Sequence, residues 1–272
     1  MSATHADASG DVDAAQGGDP APYDALLLVS FGGPEAPEEV MPFLERVTSG
    51  RGVPPERLAE VAEHYLHFGG RSPINDQNRA LLAAVEADLR ARGVDVPTYW
   101  GNRNSEPYLA DTLAQMRDDG VTRAAAFVTS AYSSYSGCRQ YRENLADAVH
   151  AVDGAPALDK LRHYFDHPGF VLANADAIAQ AWEQVPVDQR DGARVAFVTH
   201  SIPTAMEHTA GPEGGAYSAQ HRAAAAAIVA DLASRGVLVG EWDLVFCSRS
   251  GSPAVPWLEP VSYTHLRAHE TT

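Results

Sequence analysis

The sequence predicts an α/β chain of parallel strands flanked by helices, arranged as two similar halves. Three observations lead there. Short apolar runs rich in β-branched and aromatic residues alternate with longer helical stretches, which is the order of a parallel sheet covered on both faces. The runs are continuously apolar, as strands buried on both faces are. Two stretches, Leu26-Leu-Leu-Val-Ser-Phe-Gly-Gly-Pro34 and Val195-Ala-Phe-Val-Thr-His-Ser-Ile-Pro203, also share one plan: apolar strand, small polar residue, ring, turn, proline.

Residues 1–22 are mostly small or polar and cannot bury enough surface to order themselves, so a disordered tail is expected. Ala25-Leu-Leu-Leu-Val-Ser30 is the first strand, closed by Phe31-Gly-Gly-Pro34. Helices follow over 38–47 and 55–67, the second with proline near its start. Two glycines in 68–74 allow a turn, and 76–92 has helical periodicity that stops at Gly93. A strand over 97–101, a helix over 107–118, a strand over 124–130 and a helix over 139–152 complete the first half. Asp153-Gly-Ala-Pro156 is the best internal boundary. The second half is expected to run as strand 161–165, helix 168–185, strand 195–198, helix 219–234 and strand 241–246. The 195–198 strand is expected in the sheet interior.

The chain has 272 residues and a formal charge of −16 with a pI near 5.0. Such a surface repels nucleic acid and anionic membranes alike. No apolar run approaches the ~18 residues of a spanning helix, so no stable membrane insertion is expected. Two cysteines and no signal peptide point to the reducing cytoplasm. A monomer is expected.

His200, at the carboxyl end of its strand, is the sharpest candidate. An imidazole held there by rigid backbone can bind a borderline metal or take a proton near neutral pH. A strand-end histidine hydrogen-bonded within its own loop is the equally weighted ordinary reading. His208 and His221 could join it in a metal cluster, although their spacing matches no local zinc pattern. His64 and His67 share a helix face, which is more often a solvated face than a ligand pair. Tyr132, Tyr135 and Tyr141, spaced through serines, could hold a flat conjugated ligand by stacking. Neither glycine pair has phosphate-loop spacing, and no nucleophile elbow occurs.

Taken together the residues resemble the ferrochelatase family, most of all its actinobacterial coproporphyrin III members. The likeness spans about Tyr23 to Pro260. It rests on Ser30-Phe-Gly-Gly-Pro34, Glu63-His-Tyr-Leu-His-Phe-Gly-Gly70, Ser72-Pro-Ile-Asn75, Gly101-Asn-Arg-Asn104, the 132–144 stretch, Tyr164-Phe-Asp-His-Pro168, Thr199-His-Ser-Ile-Pro203 and Ser248-Arg-Ser-Gly251 leading into Pro256-Trp-Leu-Glu-Pro260. The resemblance implies a chelatase-like fold with halves 23–155 and 156–260 and a tetrapyrrole in the cleft between them. It implies a lyase of haem biosynthesis that inserts Fe²⁺, its substrate, into coproporphyrin III without redox change. His200 falls on the metal-binding, proton-accepting histidine. Phe31, His64, Tyr65, Ser72 and Tyr141 fall on porphyrin-contacting positions. Phe31 stands where some relatives carry a tyrosine able to reach iron, a contact that a phenyl ring cannot make.

The family's glutamate partner to this histidine would fall beyond Thr272, and 261–272 resembles translated adaptor sequence. The second half is therefore expected to be incomplete and iron insertion to be impaired. Cys138 matches one ligand of a [2Fe–2S] cluster in actinobacterial relatives. A single thiolate holds no cluster, and none is expected here. A non-catalytic tetrapyrrole-binding module is the alternative. A cobalt chelatase of the same fold would show more histidines.

Overall fold

The computed structural model describes residues 19–50, 52–249 and 254–262. The element order is β1 (Ala25–Ser30), α1 (Val40–Thr48), α2 (Pro55–His67), α3 (Ile74–Ala91), β2 (Thr98–Asn102), α4 (Leu109–Asp118), β3 (Arg123–Val128), α5 (Gln140–Ala151), β4 (Ala157–Lys160), α6 (Pro168–Glu183), α7 (Val187–Arg190), β5 (Val195–His200), α8 (Thr204–His208), α9 (Ala216–Ser234) and β6 (Trp242–Cys247). Of the expected N-terminal tail, residues 1–18 lie outside the described residues; 19–23 form a turn closed by Tyr23 N–H on Pro20 O. Residues 263–272 also lie outside them.

The chain divides into two compact units, Met1–Thr129 with Asn144–Leu161, and Ser130–Glu143 with Arg162–Thr272. The first contains a four-stranded sheet in the order β2-β1-β3-β4, parallel throughout. β1 lies inside it, with Leu27 and Val29 fully buried, because Leu-Leu-Leu-Val has an apolar partner on each face. Strand order reverses at β1, and open parallel sheets bind ligands outside the carboxyl ends of strands at such a point. The carboxyl end of β1 carries Phe31-Gly-Gly-Pro34.

The second unit contains β5 and β6 as a parallel pair, with Val195 opposite Trp242 and His200 opposite Cys247. α6 and α9 pack on each other, burying Val171, Ala175, Ile228 and Leu232 in one apolar cluster. Ile202, Ala210, Tyr217, Leu244 and Phe246 form another around the end of the strands.

Two expectations are corrected. The strand expected over 161–165 is β4 at Ala157–Lys160, whose backbone pairs with Arg123–Ala126 of β3. The apolar and aromatic residues just after it had carried the signal, but the ladder decides where a strand lies. Residues 157–161 thus belong to the first sheet and the first unit, whereas the sequence had placed them in the second half. β5 is not a sheet-interior strand among the described residues: it pairs with β6 alone, and Val198 is 55% exposed. Val261, set aside with the tail, forms a bridge to Phe246, and Phe246 N–H donates to Pro260 O at 2.9 Å.

Candidate functional site

In the first unit the loop after β1 is built by close approach. Gly32 has φ +80°, and a Cβ there would collide with Ser105 Oγ and come within 2.9 Å of Asn102 Cβ. At Gly33 a Cβ would sit 2.7 Å from Ile74 Cγ2 and 2.8 Å from Ser72 Cβ, so glycine is what lets the loop reach Ser72. Ser72 N–H in turn donates to Pro34 O at 2.8 Å. Below the loop lies a buried polar network. Asn78 Nδ2 and Trp100 Nε1 donate to Ser30 Oγ at 2.7 and 3.1 Å, and Ser30 donates to Asn102 Oδ1. Asn75, 1% exposed, donates to Gly33 O at 3.1 Å and to Glu35 Oε1 at 2.9 Å. Burial pushes the Glu35 carboxyl up, but Asn75 and Arg79 outweigh it and leave the group below the ordinary carboxylate range. Networks satisfied this fully are rigid.

Phe31 stands on that base. Its ring meets the edge of Phe43 with centroids 6.2 Å apart, Phe43 meets Tyr65 at 6.1 Å, and the Arg103 guanidinium lies 5.4 Å over the Phe31 ring. His64, Tyr65 and Ser72 come together: with Phe68, Arg71 and Pro73 they line a hollow of about 290 Å³. Phe68 is 80% exposed at its rim. An exposed aromatic beside a mostly apolar hollow gives a flat ligand a face to stack on.

In the second unit β5 delivers His200 to solvent, exposed at the strand end. His200 Nδ1 lies 2.6 Å from Ser201 O. A carbonyl oxygen only accepts, so Nδ1 carries the proton and Nε2 is left as the lone-pair nitrogen, free for a metal or a proton. The ordinary reading weighed from sequence therefore holds, since the ring is hydrogen-bonded within its own loop, and that bond leaves Nε2 as the other ring nitrogen. The loop is itself anchored. Ser201 N–H donates to Cys247 O at 2.7 Å, Ser201 Oγ to Leu258 O at 2.9 Å, and Leu258 N–H to Ile202 O at 3.0 Å.

The supposed cluster of His200, His208 and His221 does not form. His221 is buried on α9 with Nδ1 2.8 Å from Tyr217 O and Nε2 2.9 Å from Thr199 Oγ1, so both ring nitrogens are engaged. Among the described residues no group of three or more histidines, cysteines or acids is placed to hold a metal. Tyr132 stacks on His221 with ring centroids 3.5 Å apart, which makes it a core partner more than an open platform. Tyr141 is 5% exposed on α5, and burial pushes the nearby Tyr164 hydroxyl up to about 12, so it stays a phenol. Cys138 sits half-buried in a π-turn over Tyr135–Arg139, lining a hollow of about 470 Å³ with Arg142 and His163. Tyr217, which sequence reasoning missed, was legible only as the residue four before His221 on one helix face.

A ferrochelatase family model matches residues 23–272. A Streptomyces coelicolor protein named coproporphyrin III ferrochelatase is 54% identical over 261 residues, covering 93% of this chain and 70% of that protein. Proteins of the same name from Mycobacterium sp. (strain KMS) and Nocardia farcinica are each 55% identical, over 90% and 89% of this chain and 69% of their own lengths. With parallel strands, helical flanks, a glycine loop seated against a serine and an open histidine all present, a match of this extent leaves one conclusion: the chain belongs to the ferrochelatase family.

Proposed function

We propose that this protein inserts Fe²⁺ into coproporphyrin III, with His200 acting at the metal and Phe31, His64, Tyr65, Ser72 and Tyr141 contacting the porphyrin. The single observation that carries the reading is the His200 tautomer. With Nδ1–H held by Ser201 O, Nε2 presents one lone pair to solvent. Metallation needs such a group twice over. Each pyrrole N–H that leaves must hand its proton to a base, and Fe²⁺ must exchange water for a ligand before it meets the ring. Two protons leave as one Fe²⁺ enters, so no electron moves and the iron is substrate throughout. The edge-to-face rings of Phe31, Phe43 and Tyr65 and the hollow beside Ser72 supply apolar surface and a hydroxyl, suited to a planar macrocycle and its polar substituents.

Cys138 is one thiol, and a [2Fe–2S] cluster takes four protein ligands. No helix among the described residues is long and apolar enough to cross a membrane, and a cytoplasmic monomer is the working expectation, which sedimentation checks against 29.0 kDa. Titration with coproporphyrin III and then Fe²⁺ under anaerobic conditions tests the activity. Growth of the metallated visible spectrum at a rate lost in His200→Ala is expected. A Soret shift on mixing with no metallation would assign the chain to a non-catalytic tetrapyrrole-binding module instead.

A further inference from the structure

Three side chains that this reading leaves unused converge on the end of β5: Thr199, Tyr217 and His221. The Tyr217 hydroxyl donates to the His200 carbonyl oxygen at 2.8 Å and lies 2.9 Å from Thr199 Oγ1. At the other end of the same peptide, Ser201 N–H donates to Cys247 O at 2.7 Å. The peptide joining His200 to Ser201 is thus gripped at its oxygen and at its nitrogen. The next carbonyl along, Ser201 O, is the one that accepts from His200 Nδ1. The gripped peptide therefore sets the amino end of Ser201, the residue whose own carbonyl accepts from the imidazole.

The hydrogens can be counted. His221 Nδ1 faces the Tyr217 carbonyl, which only accepts, so Nδ1 bears hydrogen and Nε2 receives the Thr199 hydroxyl proton. Thr199 Oγ1 can then only accept from Tyr217, whose one hydrogen is shared between Thr199 Oγ1 and His200 O. His221 is locked in this role by its neighbours: Tyr132 stacks on one face at 15°, and Tyr217 meets it edge-on at 4.4 Å. Burial holds its pKa below the ordinary histidine value, which keeps Nε2 an acceptor.

We propose that Tyr217 and His221 are positioning residues for metal insertion, holding His200 through Thr199 and the 200–201 peptide with Nε2 as its open nitrogen. The inference rests on the assignment of His200 made above. Outer partners of a metal-binding histidine are worth about 10- to 100-fold in activity. Tyr217→Phe keeps the ring that packs on Ile202, Leu244 and Phe246 and removes only the hydroxyl. Thr199→Val removes the bridge to His221, and Thr199→Ser restores it.

The full chain carrying each substitution is assayed for metallation of coproporphyrin III, and its histidine ring ¹⁵N resonances are recorded with His200→Ala as the assignment control. Tyr217→Phe and Thr199→Val are expected to lower kcat about 10- to 100-fold with the porphyrin KM unchanged. Both should shift the His200 ring resonances and melt with the parent, and Thr199→Ser should recover rate and resonance together. A Tyr217→Phe chain with parental kcat and unmoved His200 resonances overturns this inference alone. So does a rate loss that tracks a lowered melting temperature and that Thr199→Ser fails to recover. A parental rate in His200→Ala overturns the assignment of His200 itself, and this inference with it.

Discussion

The two strand-to-loop junctions that carry the candidate residues share a sequence plan and are built by opposite means. After β1 the loop is pinned from beneath by buried amides: Asn75 and Asn78 from α3, Asn102 from β2. Glycines allow it to touch Ser72, and the strand that feeds it has a partner on each side. After β5 the loop is tied from the sides, by Tyr217 of α9, by Cys247 of β6 and by Leu258, and the strand that feeds it is half exposed. The contrast matches the work proposed for each. A surface that recognises a rigid ring gains from an immobile, dry base. A group that exchanges protons and a metal with water must face water, so it is held by its backbone and by one ring nitrogen, with the other left outward.

Four substitutions would break or sharpen that contrast. The largest effect is expected at His200→Ala, which removes the open Nε2: metallation should fall by about 10²- to 10⁴-fold, the span of a positioned general base. Porphyrin binding, read by tyrosine and tryptophan quenching, should persist. If both vanish together, the division between recognition and chemistry is wrong. Next is the interior of the first sheet. Leu28, 1% exposed on β1, should cost about 2–5 kcal/mol when cut to alanine, measured by urea unfolding.

A smaller effect should appear in the pH dependence of melting. Burial depresses the folded pKa of His221, so as pH falls the unfolded chain takes up a proton first. The stability this group contributes is complete above the ordinary histidine value of 6.5 and is lost as pH drops through it toward the lower folded value. His221→Phe should flatten that acid-side decline; an unchanged slope would show that His221 titrates as an ordinary surface histidine. The smallest effect is at Val198→Ala on the exposed face of β5, expected within about 0.5 kcal/mol of the parent. A loss as large as that at Leu28 would mean that β5 is covered in solution.

Much of this could be read in advance because periodicity and turn chemistry are local. Leu26 to Val29 has no polar residue to send to water, so β1 had to be interior, and Pro55 and Gly93 punctuate helices wherever they fall. The placement of β4 was not local. Ala157-Leu-Asp-Lys160 is a weaker strand sequence than the residues after it, and only the ladder to β3 selects it. The exposure of β5 was hidden for the same reason: Val195 to Val198 reads as interior, yet how many neighbours a strand has is a property of the rest of the chain. His200 was legible as a strand-end imidazole. Its tautomer was not, since that depends on a carbonyl one residue away turning back toward Nδ1. His221 was noticed for the wrong role, because an apolar-helix histidine and a ligand look alike until both nitrogens are accounted for.

The chain leaves the first unit after Thr129, contributes 130–143 to the second, and returns for 144–161 before leaving for good. Synthesis from the N-terminus therefore finishes the two at different times. Once β4 has cleared the ribosome, every strand of the four-stranded sheet exists and can close. The grip on His200 waits for α9, for β6 and last for Leu258, almost a hundred residues later by the numbering of Leu161 and Leu258. A nascent molecule thus completes the sheet and loop that carry Phe31 and Ser72 well before the bonds that hold the backbone at His200 can form.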